Sequence, residues 1–510
     1  MPSFLHNLRI DFVFIVRVVS QAFLVMAKSN IASTAVLLLA NLLLTLVLSS
    51  CAVGPDYQMP ATTSADHWNT PLPAQVSVTK TDAQAMAAWW RQFNDATLSA
   101  LVDAALQDNL DIHIAQARLR EARAAQRQAS AQWFPSLDAS VSGRHVKSSG
   151  DADISGTNTL YQAGLDASWE PDIFGGVRRA NEAASADEQG SEASLQDVQV
   201  SLAAEVALNY VSMRTLQEQL RIAQRNLQSQ ADSEQLARWR AQAGLTSSLD
   251  AEQARTVLEQ TRAQIPSLET SLAATRNRLA VLLGLAPGAL QAKLASAAKI
   301  PVPPTQIAIG IPADTVRQRP DVRVAERTLA AATARIGVAQ AARFPSLSLS
   351  GSIGLEALSF GALGDGGTQT RSLAAGITAP LFEGGALAQQ VEIRDAQQQQ
   401  ALAAYQSAVL VALEDVENAL TNFSNLERRQ VALANATDAA RNASELARVQ
   451  YDSGLIDFSQ LLDAERTQLN VETSLAQADA DRAAALIQLY KALGGGWSNT
   501  PEHSADTPNS

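Results

Sequence analysis

One plan is written twice in this chain, and the repeat constrains the fold more than any other feature, because whatever the first copy becomes the second must become too. Asp111-Ile112 returns as Asp321-Val322, and Phe134-Pro135-Ser136-Leu137 returns as Phe344-Pro345-Ser346-Leu347, both 210 residues later. Gly244-Leu245 and Gly454-Leu455 keep that spacing, as do Leu283-Gly284 and Leu493-Gly494. Between them, Phe174-Gly175-Gly176 is answered by Phe382-Glu383-Gly384-Gly385. At 510 residues the chain can bury a core without help from disulfides or metals.

Inside each copy the periodicity changes in the same order. Residues 98–133 and 321–343 are rich in Ala, Arg, Gln and Glu without internal Pro, which predicts helix. Pro135 and Pro345 stop these helices. Beyond them Leu137, Ala139 and Val141, and likewise Leu347 and Leu349, alternate with polar residues, a period of two that predicts strands. Polar, Gly-rich connectors at 147–158 and 361–369 lead into second alternating stretches at 160–169 and 373–381. Each copy thus contributes a hairpin whose strands, at about 9 to 11 residues, match the length that crosses a bilayer.

Long helices follow. No Pro occurs in 177–243 or 386–453, and helices of that length would run about 90 to 100 Å. Leu402, Tyr405, Val409, Leu413, Val416, Leu420 and Phe423 form an apolar stripe, matched by Leu195, Val198, Leu202, Val206, Met213 and Leu216. A mean step of about 3.5 residues predicts a coiled-coil seam with left-handed supercoiling. Each long helix turns at Gly244 or Gly454 and returns through a second helix closing at Gly284 or Gly494, where tolerance of positive φ is needed. The fold class is mainly α with a small β portion: long helical hairpins plus four strands per chain. Along the sequence this gives a signal region (1–50), an N-terminal extension (51–96), a first repeat (97–285), a Pro-rich linker (286–320), a second repeat (321–496) and a loose tail (497–510).

Four strands cannot close a barrel, and an open edge in lipid leaves backbone groups unpaired. The chain must pool strands with copies of itself; two chains supply eight and three supply twelve, and counting does not choose between them. After Cys51 no apolar run approaches ~20 residues, so a helical span in the mature chain is excluded. Before Cys51, the single cysteine, lies an apolar run from Ile31 preceded by Lys28, the layout of a secretory signal. Leu48-Ser49-Ser50-Cys51 resembles a bacterial lipobox, which implies a thioether-linked diacylglycerol on Cys51; the competing reading is a retained transmembrane anchor. Met26-Ala27-Lys28 already opens a complete signal, so translation is expected to start at Met26. The net charge of −12 argues against a nucleic-acid partner. His67, His113, His145 and His503 stand alone and no nucleotide-binding motif occurs. No catalytic residue, no metal and no cofactor beyond the lipid on Cys51 is expected.

Several motifs then act jointly: Cys51-Ala52-Val53-Gly54-Pro55-Asp56-Tyr57, Trp89-Trp90 with Phe93, Trp169-Glu170-Pro171-Asp172-Ile173-Phe174-Gly175, Leu282-Leu283-Gly284, Arg319-Pro320-Asp321-Val322 and Pro380-Leu381-Phe382-Glu383-Gly384-Gly385. The combination resembles the TolC family of outer-membrane efflux proteins, within it the NodT-like lipoprotein branch, over nearly all of the mature chain. The resemblance implies a homotrimer with a twelve-stranded barrel and a periplasmic tube of helices, docked to an adaptor protein and an inner-membrane RND-type transporter. Ala52 after the cysteine agrees with sorting to the outer membrane. The resemblance also places adaptor contacts at Gly244, Leu245, Gly454 and Leu455, and an aperture at Tyr451, Asp463 and Arg466. An Asp beside Leu461 and Leu462 on a packed helix is costly to bury unpaired, which a pore-facing position would resolve; the alternative is a surface carboxylate paired with Arg466. Two other functions stay open: a duct for a type I protein secretion system, and a poreless lipid-anchored coiled-coil scaffold.

Overall fold

The structure, a computed structural model, describes residues 52–61, 67–72, 76–78, 83–148, 156–304, 306–310 and 312–497. The signal region with its Met26 start, Cys51, and tail residues 498–510 lie outside the described residues.

The first copy runs α2 (Ala96–Asp108), α3 (Leu110–Ala131), β2 (Ser136–Ser148), β3 (Gly156–Trp169), α4 (Gly176–Gln242) and α5 (Ser248–Leu282). The second runs α7 (Pro320–Ala341), β5 (Ser346–Ala357), β6 (Gln369–Thr378), α8 (Ala386–Asp452) and α9 (Phe458–Ala492). Ahead of the first lie β1 (Val76–Val78), α1 (Ala83–Ala87) and a 3-10 turn at Trp89–Phe93; between the copies lie β4 (Ile307–Ile309) and α6 (Pro312–Gln318). The two long helices have 67 residues each and the two returning helices 35 each, so the repeat holds at the level of element length.

The helix expected over 98–133 is in fact two, broken at Asn109. Its backbone is extended, and its side-chain oxygen accepts from the amides of Asp111 (2.7 Å) and Ile112 (3.3 Å), which starts α3 afresh. The Asn109 amide nitrogen donates to the Leu282 carbonyl at the end of α5 (2.8 Å), filling one of the acceptors that a helix terminus leaves open. The equivalent residue of the second copy is Arg319. Its guanidinium donates to the Ala492 carbonyl at the end of α9 (3.0 Å) and pairs with Asp321 (2.7 Å) and Asp415 (3.0 Å). The glycine that follows has φ +70 in the first copy and +74 in the second, and a Cβ on Gly284 would lie 2.6 Å from the Asp108 carbonyl oxygen.

The chain forms two compact units, each drawing on both copies. Among the described residues one comprises 52–56, 128–148, 156–182 and 333–395. Its sheet has the order β2-β3-β5-β6, antiparallel throughout, with Leu165 opposite Ile353 joining the two hairpins. The strands are 13, 14, 12 and 10 residues long, mostly longer than expected, and β3 begins at Gly156, ahead of residue 160. Strand β6 stops at Thr378, short of Pro380, which cannot donate to a ladder. The register puts Leu137, Val141, Leu165, Leu347, Ile353, Leu373 and Ile377 on one face. The opposite face carries a polar ladder, with hydroxyl contacts Ser136–Ser168 (2.8 Å) and Ser352–Ser372 (2.7 Å) and a bond from Ser140 to Asp166 (2.9 Å). The apolar face is bare: Val141 is 80% exposed and Leu373 89%.

The other unit comprises 57–127, 183–332 and 396–510. Here the stripes meet: Leu202, Val206, Met213, Val416, Leu420 and Phe423 are all buried in one cluster. Trp89 stacks on Tyr490 at 5.3 Å, and the Tyr490 hydroxyl donates to Gln92 (2.7 Å). The N-terminal extension and the Pro-rich linker meet as a parallel pair of β1 with β4. The Trp68 indole nitrogen donates to the Gly310 carbonyl (2.9 Å), and the amides of Asn69 and Thr70 donate to Glu417 (2.7 and 3.0 Å). The extension is thereby strapped onto α8.

Arg319→Ala is expected to destabilise the fold by about 3–5 kcal/mol, because it strands buried acceptors and two carboxylates, whereas Asn109→Ala removes only neutral bonds and costs about 1–2 kcal/mol. Denaturant unfolding of both variants measures the difference.

Candidate docking tips and aperture

The residues singled out for docking and closure lie at the turns between α4 and α5 and between α8 and α9, all within one compact unit. Both turns have the same construction. Gly244 has φ +72 and Gly454 φ +71, with no atom within 4 Å of an added Cβ, so backbone conformation alone requires glycine there. The next amide reaches back over the helix end, from Leu245 to the Arg240 carbonyl and from Leu455 to the Gln450 carbonyl, 2.8 Å in each case. This is a Schellman closure. It leaves Leu245 77% and Leu455 75% exposed, two apolar side chains offered to solvent where each hairpin ends.

The hairpins pack together just behind their turns. Ala237, Ala254 and Val257 from the first meet Tyr451, Phe458, Leu461 and Leu462 from the second. Tyr451, expected at an aperture, is 4% exposed, with its ring edge-on to Phe458 at 5.4 Å. It sits on the packed side of α8, so any part it takes in closure passes through Arg240. That guanidinium lies over the Tyr451 ring (4.3 Å) and donates to the carbonyls of Tyr451 (3.0 Å) and Asp452 (3.1 Å). A cation on the last carbonyls of α8 also opposes the negative end of the helix dipole. Arg240 therefore ties the first hairpin to the end of the second.

Asp463 and Arg466 lie three residues apart on α9, both exposed, and make no ion pair with each other or with any described residue. Tyr451 packs instead against their neighbours Leu461 and Leu462. An acid that α9 buries close to the turn is Glu465, 4% exposed, which sequence reasoning passed over. It accepts from the Ser233 hydroxyl (2.8 Å) and Ser229 hydroxyl (3.4 Å), while its second oxygen is buried without a partner. Arg448 donates to the same Ser229 hydroxyl (3.2 Å). Burial pushes the Glu465 pKa up, partly offset by the Ser233 bond and the Arg448 charge. One heptad further on, Glu472 is also buried, held by Arg441 (2.7 Å) and Arg225 (3.4 Å). A heptad after that, Asp479 accepts from Gln430 (3.0 Å), its pKa likewise raised by burial. The signal was available: Phe458, Glu465, Glu472, Asp479, Leu486 and Leu493 form one column at sevenfold spacing.

Known proteins place this arrangement. The model of the outer membrane efflux protein family matches residues 101–285 and again 311–495, one match per copy. The chain belongs to that family. It is 32% identical over 465 residues to the solvent efflux pump outer membrane protein SrpC of Pseudomonas putida, covering 89% of this chain and 97% of that protein. Nodulation protein T of Rhizobium leguminosarum bv. trifolii is 32% identical over 468 residues, covering 89% of this chain and 96% of that protein. The solved outer-membrane channel OprN superposes with a TM-score of 0.82 at 36% identity, covering 88% of this chain and all of that one.

Because folding lifts the Glu465 pKa above its ordinary 4.5, the folded chain holds that proton more tightly than the unfolded one. Its contribution to stability is therefore full below pH 4.5 and is lost as pH rises through the folded value. Glu465→Gln should steady the tip at pH 7.5 by about 1–3 kcal/mol, the cost of one stranded buried group, with less gain at pH 5. Hydrogen exchange of the α9 amides at the two pH values reads this out.

Proposed function

We propose that the chain is the outer-membrane exit duct of a tripartite efflux pump, passively conducting small molecules from a periplasmic adaptor and an inner-membrane RND-type transporter to the exterior. The observation that carries this reading is the four-stranded antiparallel sheet, bare and apolar on one face, polar on the other and, among the described residues, unpaired at both edges. Such a sheet is stable in a bilayer only when its edges are closed by others. Three chains supply twelve strands, with the apolar faces towards lipid and the serine ladders towards a water-filled lumen. Phe134 and Phe382, 66% and 90% exposed beside the ends of the strands, suit the aromatic girdle of such a barrel.

A covalent lipid on Cys51 would anchor each subunit in the same membrane. Leu245 and Leu455 are the surface for an adaptor, and Arg240, Tyr451, Asp463 and Arg466 belong to the periplasmic aperture. In a threefold ring the exposed Asp463 becomes three carboxylates in one narrow place, attracting cations and repelling anions. The chain carries no chemistry of its own; relatives are named as pump outer-membrane proteins, and energy comes from the transporter.

Purified in detergent, the chain should run as a heat-labile trimer and give discrete conductance steps in planar bilayers; a stable single-subunit species in lipid counts against the duct. Arg240→Ala, which unties the tips, should raise the open fraction, and Asp463→Ala, which removes the carboxylate ring, should weaken the preference for cations; recordings indistinguishable from the parent chain exclude the assigned aperture. A Leu455→Cys chain carrying a photoreactive thiol probe should crosslink to a periplasmic adaptor.

A further inference from the structure

The first described residues of the chain are held in a socket. Arg179, on α4, is 4% exposed, yet its guanidinium is spent on the N-terminal segment. Its Nε donates to the Val53 carbonyl (3.1 Å), and Nη2 to the Gly54 carbonyl (3.0 Å) and the Asp56 carboxylate (2.8 Å), while Nη1 takes Glu182 (2.7 Å). The Val53 amide donates to the Phe174 carbonyl (3.0 Å). Three glycines make room. A Cβ on Gly54, at φ +99, would sit 2.4 Å from the Gly337 Cα on α7. A Cβ on Gly337 would meet the Arg179 side chain at 2.7 Å, and one on Gly175, at φ +84, the Ala52 Cα at 2.8 Å. All of these residues belong to the unit that holds the sheet.

A chain terminus is ordinarily loose unless something ties it down. Here residues from both repeats bind Ala52–Asp56 through backbone carbonyls and close backbone contact. The socket lies at the foot of the sheet: Phe174 follows β3 by a few residues and stacks at 4.8 Å on Phe344, which precedes β5. Cys51 is the next residue, one Cα step of about 3.8 Å from Ala52. Released as far as Asp56, the segment would give an attached lipid about 20 Å of slack at ~3.5 Å per residue, a large share of a hydrocarbon core about 30 Å thick.

We propose that Arg179, Gly337 and Gly175 form a receptor for the mature N-terminus that fixes the height at which the lipid on Cys51 enters the bilayer, so that acylation positions the strand hairpins for assembly. This rests on the reading of Cys51 as lipidated. Arg179 is a positioning residue: it acts on the anchor through the segment it holds.

The test uses the full chain labelled with radioactive palmitate, with Arg179→Ala altering the socket and Gly54→Ala altering only the segment. Both variants should incorporate palmitate as the parent does, lose the label to mild proteolysis that spares the parent, and yield about tenfold less heat-labile trimer in the outer membrane, the effect of roughly one or two lost charge-assisted bonds. The same two substitutions in a Cys51→Ser chain exported behind a non-lipoprotein signal should cause no further loss. An equal tenfold loss without lipid shows a merely structural role and overturns the proposal, as does normal assembly of labelled chains whose segment has been freed. A parent chain that takes up no palmitate overturns the lipid reading itself and the proposal with it.

Discussion

Strands β2 and β6 end the sheet, and among the described residues no further strand pairs with their outer edges. In water this would matter little; in hydrocarbon each unpaired backbone group is costly, and only closure removes the cost. Much else in the molecule is subordinate to that requirement. The repeat supplies two hairpins, and the pairing of β3 with β5 joins them into one four-stranded sheet rather than two isolated ribbons.

The helical hairpins meet a different demand. Their seam is apolar where the buried stripes of α4 and α8 pack, but on α9 it turns acidic for three successive heptads, at Glu465, Glu472 and Asp479. Such residues lower stability relative to a hydrocarbon seam, and their attested use is to fix register and partner choice. Each acid finds its partners on the two long helices: serines of α4 for the first, arginines of α4 and α8 for the second, a glutamine of α8 for the third. A slip of one helical turn would leave all three unpaired together. The seam thus specifies one alignment of the hairpins, while Arg240 fastens the end of that alignment at the tips.

Much of this was legible before any coordinates. The repeat, the strand positions after Pro135 and Pro345, the long Pro-free helices and the glycine turns all follow from local rules, and the buried stripe agrees with its heptad spacing. What escaped was long-range. Asn109 reads as an ordinary helix-surface residue until its bond to Leu282, 173 residues away, shows why the helix breaks there. The family resemblance assigned Tyr451 and Asp463 to one aperture, and only the packing shows that Tyr451 is buried against the other hairpin while Asp463 faces solvent. Glu465 carried a visible mark, its heptad position, but a carboxylate in a charged stretch looks solvated until its neighbours are known. The pairing of β1 with β4 joins segments too short to announce themselves by pattern.

Asn109 and Arg319 occupy the same place in the two copies and hold the same helix end, one by a neutral amide and the other by a guanidinium with two carboxylates. In a ring of three chains the backbone would therefore present six near-identical wedges, but the chemistry at their waists would alternate, uncharged then ionic, around the circumference. Geometrically the ring approaches sixfold order; electrostatically it has only threefold.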